Sequence, residues 1–246
     1  MPLPPSRTSH QRTSHQRAPR LLVVKFGGTS VANASRVRRA ARRVASLQGA
    51  GWTPVVVVSA AGHTTDRLLT NLAHLAPDHL ENPLVRREAD RLLATGETRS
   101  AALLAAALCA TGVPATSVRA DEAVLRAEGP YGAATLVALE PGAIASAVGN
   151  RVVPVVAGFQ GIRADGELVT LGRGSSDTSA VFLASALGAR ECHIVTDVRG
   201  VYDADPRLVE GARFLPELGA DELVALCEAG AQVVHPEAAR RARDGD

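Results

Sequence analysis

"LLVVKFGGTSVANASRV", residues 21–37, is the stretch on which the reading of the whole chain turns. A short apolar, β-branched run reaches Lys25 and Phe26, meets two glycines, and passes into a helical pattern over 33–49. An apolar strand running through glycines into a helix is how a parallel α/β sheet begins. Lys25 is the single lysine of a chain whose other 26 basic residues are arginines. Paired glycines let backbone N–H groups approach an anion closely, and the helix N-terminus that follows adds a favourable dipole. An ammonium at that junction is a compact charge able to reach a phosphate, where the planar arginine fork is bulkier. Position alone leaves open that a lone lysine falls there by chance. The segment matches neither GxxxxGK[ST] nor GxGxxG, so a dinucleotide-binding dehydrogenase is a poor reading.

The pattern repeats outward from this stretch. Further strands are expected at 53–60, 115–120, 152–159 and 192–197, with 166–171 forming part of a hairpin. Helices are expected at 33–49, 66–75, 84–94, 98–111, 141–149, 176–188, 220–229 and 236–243. Apolar strands between long helices predict an α/β fold, an αβα sandwich around a mainly parallel central sheet, pinched into two lobes near residue 150. No repeat of 20–50 residues and no long linker interrupts it.

Composition narrows the function. Aromatic residues make up only 3% of the chain, too few for a base-stacking platform. Residues 1–20 hold four arginines (Arg7, Arg12, Arg17, Arg20) and no acid, and carry "RTSHQ" twice in tandem; this segment is expected to be a disordered basic tail. Without it, 23 basic residues face 25 acidic ones, so the body has no basic footprint for DNA or RNA. Cys109, Cys192 and Cys227 are scattered through apolar surroundings, as small buried thiols in a reducing compartment would be, and no metal site is expected. The apolar run "AALLAAALCA" (101–110) is too short for a bilayer, and the N-terminus has no apolar signal core. A soluble, cytoplasmic protein is expected.

In parallel sheets, ligands sit beyond the carboxyl ends of the strands. Here those ends run into Gly27-Gly28-Thr29-Ser30, Ser59-Ala60-Ala61-Gly62-His63-Thr64-Thr65, Gly158-Phe159-Gln160-Gly161 and Thr196-Asp197. "TLGRGSSDTSAVFLASALGA" (170–189) adds glycines, hydroxyls and Arg173 ahead of a helix with Asp177 in its first turn, a second anion cradle or an ordinary capped helix. "TGETRSA" (95–101) is expected to set Glu97 just before an Ala-rich helix, where a carboxylate suits the dipole. "TDVRGVYDADPR" (196–207) is a polar loop with one tyrosine and Arg207, of a kind that suits a nucleotide.

Together, "KFGGTSV", "VSAAGHTTDRLL", "GETRSA", "AGFQG", "TLGRGSSDTSA", "TDVRGVYDADPR" and "GAQVVHP" occur in the order and approximate spacing of the aspartate kinases, within the amino acid kinase family, which the chain resembles from about residue 20 onward. The resemblance implies ATP- and Mg²⁺-dependent phosphorylation of the β-carboxylate of L-aspartate, a step toward lysine, threonine and methionine. It implies catalytic roles for Lys25 and Asp177, with Gly27 and Gly28 on the transferring phosphate. Ser59, Thr65, Glu97, Arg173 and Ser176 would hold the amino acid, Glu97 at its ammonium and Arg173 at a carboxylate. Thr196, Asp197, Tyr202 and Arg207 would line the nucleotide. It also implies an amino-acid lobe over 21–150 and a nucleotide lobe over 151–246. The chemistry agrees: a carboxylate acceptor is already ionised at neutral pH, so phosphoryl transfer needs positioning and charge neutralisation rather than a general base.

Three positions depart from the family pattern. Gln232 stands where the family has a lysine on the ATP phosphates, a charged hydrogen bond of about 1.5–3 kcal/mol. His63 and Ser175 each stand where a glycine is usual. The chain is expected to stop before the last kinase strand and the paired ACT domains. An open sheet edge would then pair with another chain, in a homodimer or with a regulatory partner. The alternatives are a relative acting on another small carboxylate and a non-catalytic nucleotide-binding subunit.

Overall fold

Alternation along the first strand organises the molecule. In β1 (Leu21–Phe26), Leu22, Val24 and Phe26 enter one apolar core while Val23 enters another on the opposite face. The computed structural model describes residues 19–245 apart from Val124, Pro141, Arg199 and Gln232, so Gln232 and the expected tail, bar its last two residues, lie outside what is described. Arg20 lies over the Trp52 ring, 4.2 Å from its centroid.

After β1 come a 3₁₀ turn (Gly28–Val31), α1 (Ala34–Gly49), β2 (Thr53–Val58), α2 (Thr64–Leu75) and α3 (Pro83–Cys109). The middle of the chain forms β3 (Ala115–Val118), α4 (Ala120–Ala123), β4 (Leu125–Glu128), β5 (Thr135–Leu139) and α5 (Ala143–Gly149). Then follow β6 (Val153–Ala157), β7 (Gln160–Ile162), β8 (Leu168–Thr170), α6 (Ser176–Ala186) and β9 (Glu191–Val195). The last described elements are β10 (Val201–Tyr202), β11 (Phe214–Leu215), α7 (Ala220–Glu228) and α8 (Pro236–Asp244).

Five strands form the central sheet in the order β3-β6-β2-β1-β9, every pairing parallel. α1 and α3 cover one face through Val37, Ala41, Val44, Leu104 and Leu108. α5, α6 and a four-stranded sheet of order β5-β4-β7-β8 cover the other through Ile144, Leu183, Leu125 and Val169. The αβα sandwich around a mainly parallel sheet is therefore the observed fold. β6 lies past residue 150 yet pairs with β2 and β3, so both expected lobes share one sheet.

Where sequence and structure differ, α3 is the main case. The expected helices at 84–94 and 98–111 are one continuous helix, and Glu97 lies in its middle rather than before its start, away from any terminal dipole. Gly96 falls between the two expected helices, and the glycine is there for space: a Cβ on it would stand 2.8 Å from the Ala60 Cβ. α3 starts at an Asn82 cap that accepts from the Leu84 N–H, with Pro83 in its first turn. By length and composition it could cross a membrane, but half of its most apolar stretch is buried inside the protein, as a core helix would be.

Candidate active site

Register places the site. Phe26 is level with Val58 on one side and Val195 on the other, and Val58 is level with Ala157. The next residues, Gly27, Ser59, Gly158 and Thr196, therefore form a row along the carboxyl edge of the sheet. Backbone bonds extend the ladder into that row, from Gly27 N–H to the Val195 carbonyl (3.3 Å), Ser59 N–H to Phe26 (3.1 Å) and Gly158 N–H to Val58 (3.1 Å).

Lys25 lies two residues inside this edge and is 9% exposed. Its Nζ is 2.6 Å from Asp177 Oδ1, at the first turn of α6. The other oxygen, Oδ2, accepts the His235 backbone N–H at 3.2 Å, and His235 caps α8. Three segments thus converge on one ion pair, with Gly27 above it: a Cβ there would be 3.5 Å from Lys25 Nζ. Gly28 packs closer still, since a Cβ on it would stand 2.7 Å from the Ala60 carbonyl oxygen. Ser175 and Ser176 begin α6, and the Ser175 hydroxyl donates to the Leu171 and Gly172 carbonyls, both at 2.7 Å.

Glu97 reaches the same edge from α3. It is 3% exposed, and its Oε1 accepts the Ala60 N–H at 2.9 Å, next to Ser59. Its Oε2 has no hydrogen-bond partner among the described residues. Burial pushes the carboxyl from its ordinary 4.5 up to about 7, against the lowering effect of the Ala60 N–H. Thr65 lies on the first turn of α2, and the neighbouring Asp66 holds Arg173 from across the cleft, Oδ1 to Nη2 at 3.1 Å. That pair is well exposed. Thr65 and Arg173 open onto a cavity of about 320 Å³ with Asp90, Tyr131 and Phe159. Phe159 is buried at φ 69°, the left-handed region a bulky side chain avoids, and its N–H donates to Ser179 Oγ at 3.0 Å.

Beside Asp177, a second cavity of about 430 Å³ is lined by Gly174, Gly230, Ala231, Val234 and His235. A third, about 720 Å³, sits at the amino ends of β2 and β6 beside Trp52 and Arg151 and holds none of the sequence-predicted site residues. Thr196 and Asp197 are exposed beyond β9, the Thr196 hydroxyl donating to the Asp197 carboxylate at 3.2 Å. Tyr202 stacks edge-on against Phe214, their ring centroids 5.7 Å apart, and Arg207 forks onto Asp205 at 2.9 and 3.1 Å. Those contacts stay within the β10–β11 region, and no described bond joins Tyr202 or Arg207 to Lys25.

Sequence reasoning missed Asp90 and His235. Asp90 is 2% exposed on α3; burial raises its carboxyl against hydrogen bonds from Thr170 and Gly132 that lower it. Its signal was an acid on the same helical stripe as Leu93, Glu97 and Leu104. His235 acts through its backbone, which leaves no signal in residue type. Among the described residues, no group of three or more His, Cys, Asp or Glu side chains gathers to hold a metal.

A buried ion pair at the carboxyl edge of a parallel sheet, among glycines and helix N-termini, lies where α/β proteins of this architecture receive anionic ligands. The chain belongs to the amino acid kinase family, whose model matches residues 20–246. An aspartokinase of Thermus thermophilus is 43% identical over 218 residues, 89% of this chain and 53% of the relative. The solved aspartate kinase of Synechocystis superposes with TM-score 0.78 at 41% identity, covering 92% of this chain and 36% of that one. Escherichia coli aspartokinase III, solved with aspartate and ADP, gives TM-score 0.75 at 28% identity, covering 92% and 60%. The chain spans about half the length of the curated relatives it matches.

Proposed function

We propose that this protein transfers the terminal phosphoryl group of ATP to the β-carboxylate of L-aspartate, giving 4-phospho-L-aspartate. The observation that carries the reading is the buried Lys25–Asp177 pair under Gly27, with the half-satisfied carboxylate of Glu97 at the adjoining strand end. The aspartokinase relatives, one solved with aspartate and ADP, support the choice of substrates.

In this reading the acceptor is ionised before it binds, and the chain's residues align and neutralise. Lys25 shares its ammonium N–H donors between Asp177 and the transferring phosphate, while Asp177, fixed by the His235 N–H, keeps the ammonium from swinging away. Gly27 and Gly28 present backbone to the same phosphate. Glu97 Oε2 takes the substrate ammonium, and Arg173 exchanges Asp66 for the α-carboxylate. Ser59, Thr65 and Ser176 line the acceptor, while Thr196, Asp197, Tyr202 and Arg207 serve the nucleotide. Residues 21–150 supply most of the amino-acid side and 151–246 the nucleotide side, with Arg173 and Ser176 crossing over. Mg²⁺, which neutralises phosphate charge, would be carried on the nucleotide phosphates with Asp177 as the adjacent acid. The proposed setting is the cytoplasm, as a homodimer or with a separate regulatory partner.

The test is capture of the acyl phosphate by hydroxylamine, using purified protein, Mg-ATP and L-aspartate. Aspartyl hydroxamate from the wild type, and none from Lys25→Ala, supports the reading. A silent wild type that still binds ATP overturns it.

A further inference from the structure

Glu97 and Arg173 belong to different parts of the chain, and the distance between them has to be fixed by something other than either residue. Asp90 lies seven residues before Glu97 on the same buried stripe of α3. Seven residues are close to two full helical turns, about 10.5 Å along the axis, so the two carboxylates share a face. Asp90 Oδ2 accepts the Thr170 N–H at 2.8 Å and the Gly132 N–H at 3.0 Å, and Oδ1 accepts the Thr170 hydroxyl at 2.8 Å. Thr170 is the last residue of β8, three residues before Arg173. Gly172, between them, is at φ 84° and lies so close to Gly132 that a Cβ would stand 3.3 Å from its carbonyl oxygen. One carboxylate therefore ties the root of the Arg173 loop, and the segment packed on it, to the helix that carries Glu97.

We propose that Asp90 is a positioning residue that sets Arg173 at a fixed separation from Glu97, so that α3 acts as a ruler for the amino-acid substrate. This rests on the reading that Glu97 and Arg173 grip the two charged groups at the substrate's α-carbon. Fixing that grip relative to Lys25 determines which side-chain length brings its carboxylate to the transferring phosphate, and so separates aspartate from glutamate. All three groups that Asp90 holds are donors. An asparagine can offer its carbonyl oxygen to both N–H groups and its amide to the Thr170 hydroxyl, which turns to accept. Alanine leaves two N–H groups without their acceptor.

The experiment compares wild type, Asp90→Ala and Asp90→Asn by amide hydrogen exchange and by steady-state hydroxamate formation. In Asp90→Ala, the Thr170 and Gly132 amides should exchange at least about tenfold faster, and KM for aspartate should rise about tenfold. KM for ATP should stay within about twofold, the preference for aspartate over glutamate should narrow, and Asp90→Asn should restore all of these. Should Asp90→Ala fail to fold, Thr170→Val removes one bond of the three and should raise KM for aspartate alone, by a smaller factor. Unchanged exchange at Thr170, a parallel rise in both KM values, or an Asp90→Asn as impaired as Asp90→Ala overturns the proposal. If the wild type makes no hydroxamate, the kinase reading has failed, and the exchange rates alone then support or overturn the anchoring role.

Discussion

Lys25 and Asp177 form a buried ion pair at the carboxyl edge of the sheet, and each is tolerable there only because the other is present. Removing one partner leaves a buried charge, which costs about 3–5 kcal/mol, whereas neutral replacements on both sides cost far less. Lys25→Met should therefore lower the urea midpoint more than the double variant Lys25→Met/Asp177→Asn, although both lose activity. Glu97 carries a pH dependence of definite sign. Between 4.5 and about 7 the folded chain holds a proton that the unfolded chain has released, so stability falls as pH rises through that window. Glu97→Gln should flatten the fall in urea denaturation measured from pH 5 to 8. Binding an ammonium needs the ionised form, so KM for aspartate should drop as pH rises from about 6 to 8 in the wild type. A KM flat over that range would remove Glu97 from ammonium binding. At this scale Lys25 and Asp177 were legible because each sits where one element turns into the next. Asp90 and His235 were not, because their roles depend on partners 80 and 58 residues away in sequence.

Elements built on strong periodicity were the readable ones. β1, β2, β6 and β9 are apolar runs bounded by small or polar residues, and their expected ends fall within three residues of those observed. β4, β5, β10 and β11 are two to five residues long and escaped notice, since so short a segment gains its strand character from the neighbour it pairs with. α3 was expected as two helices on either side of Gly96, a residue of weak helix propensity whose packing against Ala60 is invisible in sequence. The two effects predict opposite signs for Gly96→Ala. Propensity alone would stabilise the helix by up to about 1 kcal/mol, but a Cβ 2.8 Å from another Cβ overpacks the contact and should destabilise by about 1–3 kcal/mol. The midpoint of chemical denaturation decides between them.

On the scale of the whole molecule, the central sheet joins what the sequence suggested as two lobes. With β6 between β2 and β3, neither half can open without exposing the Val55–Val58 and Val153–Val156 rows of the other. Unfolding should then be one transition, with Trp52 fluorescence and far-ultraviolet circular dichroism tracing the same curve; separated curves would indicate independent lobes. The arginine bias seen at the outset has one more consequence. With Lys25 as the sole lysine of the sequence, its only side-chain amine stands in the proposed phosphate site, paired with Asp177. An amine-selective acylating reagent, which for most proteins decorates the surface indiscriminately, has here a single side-chain target, and that one is 9% exposed and paired with Asp177. Acylation of Lys25, read by peptide mass, should therefore be slow, and slower still when a phosphate-bearing ligand fills the proposed site.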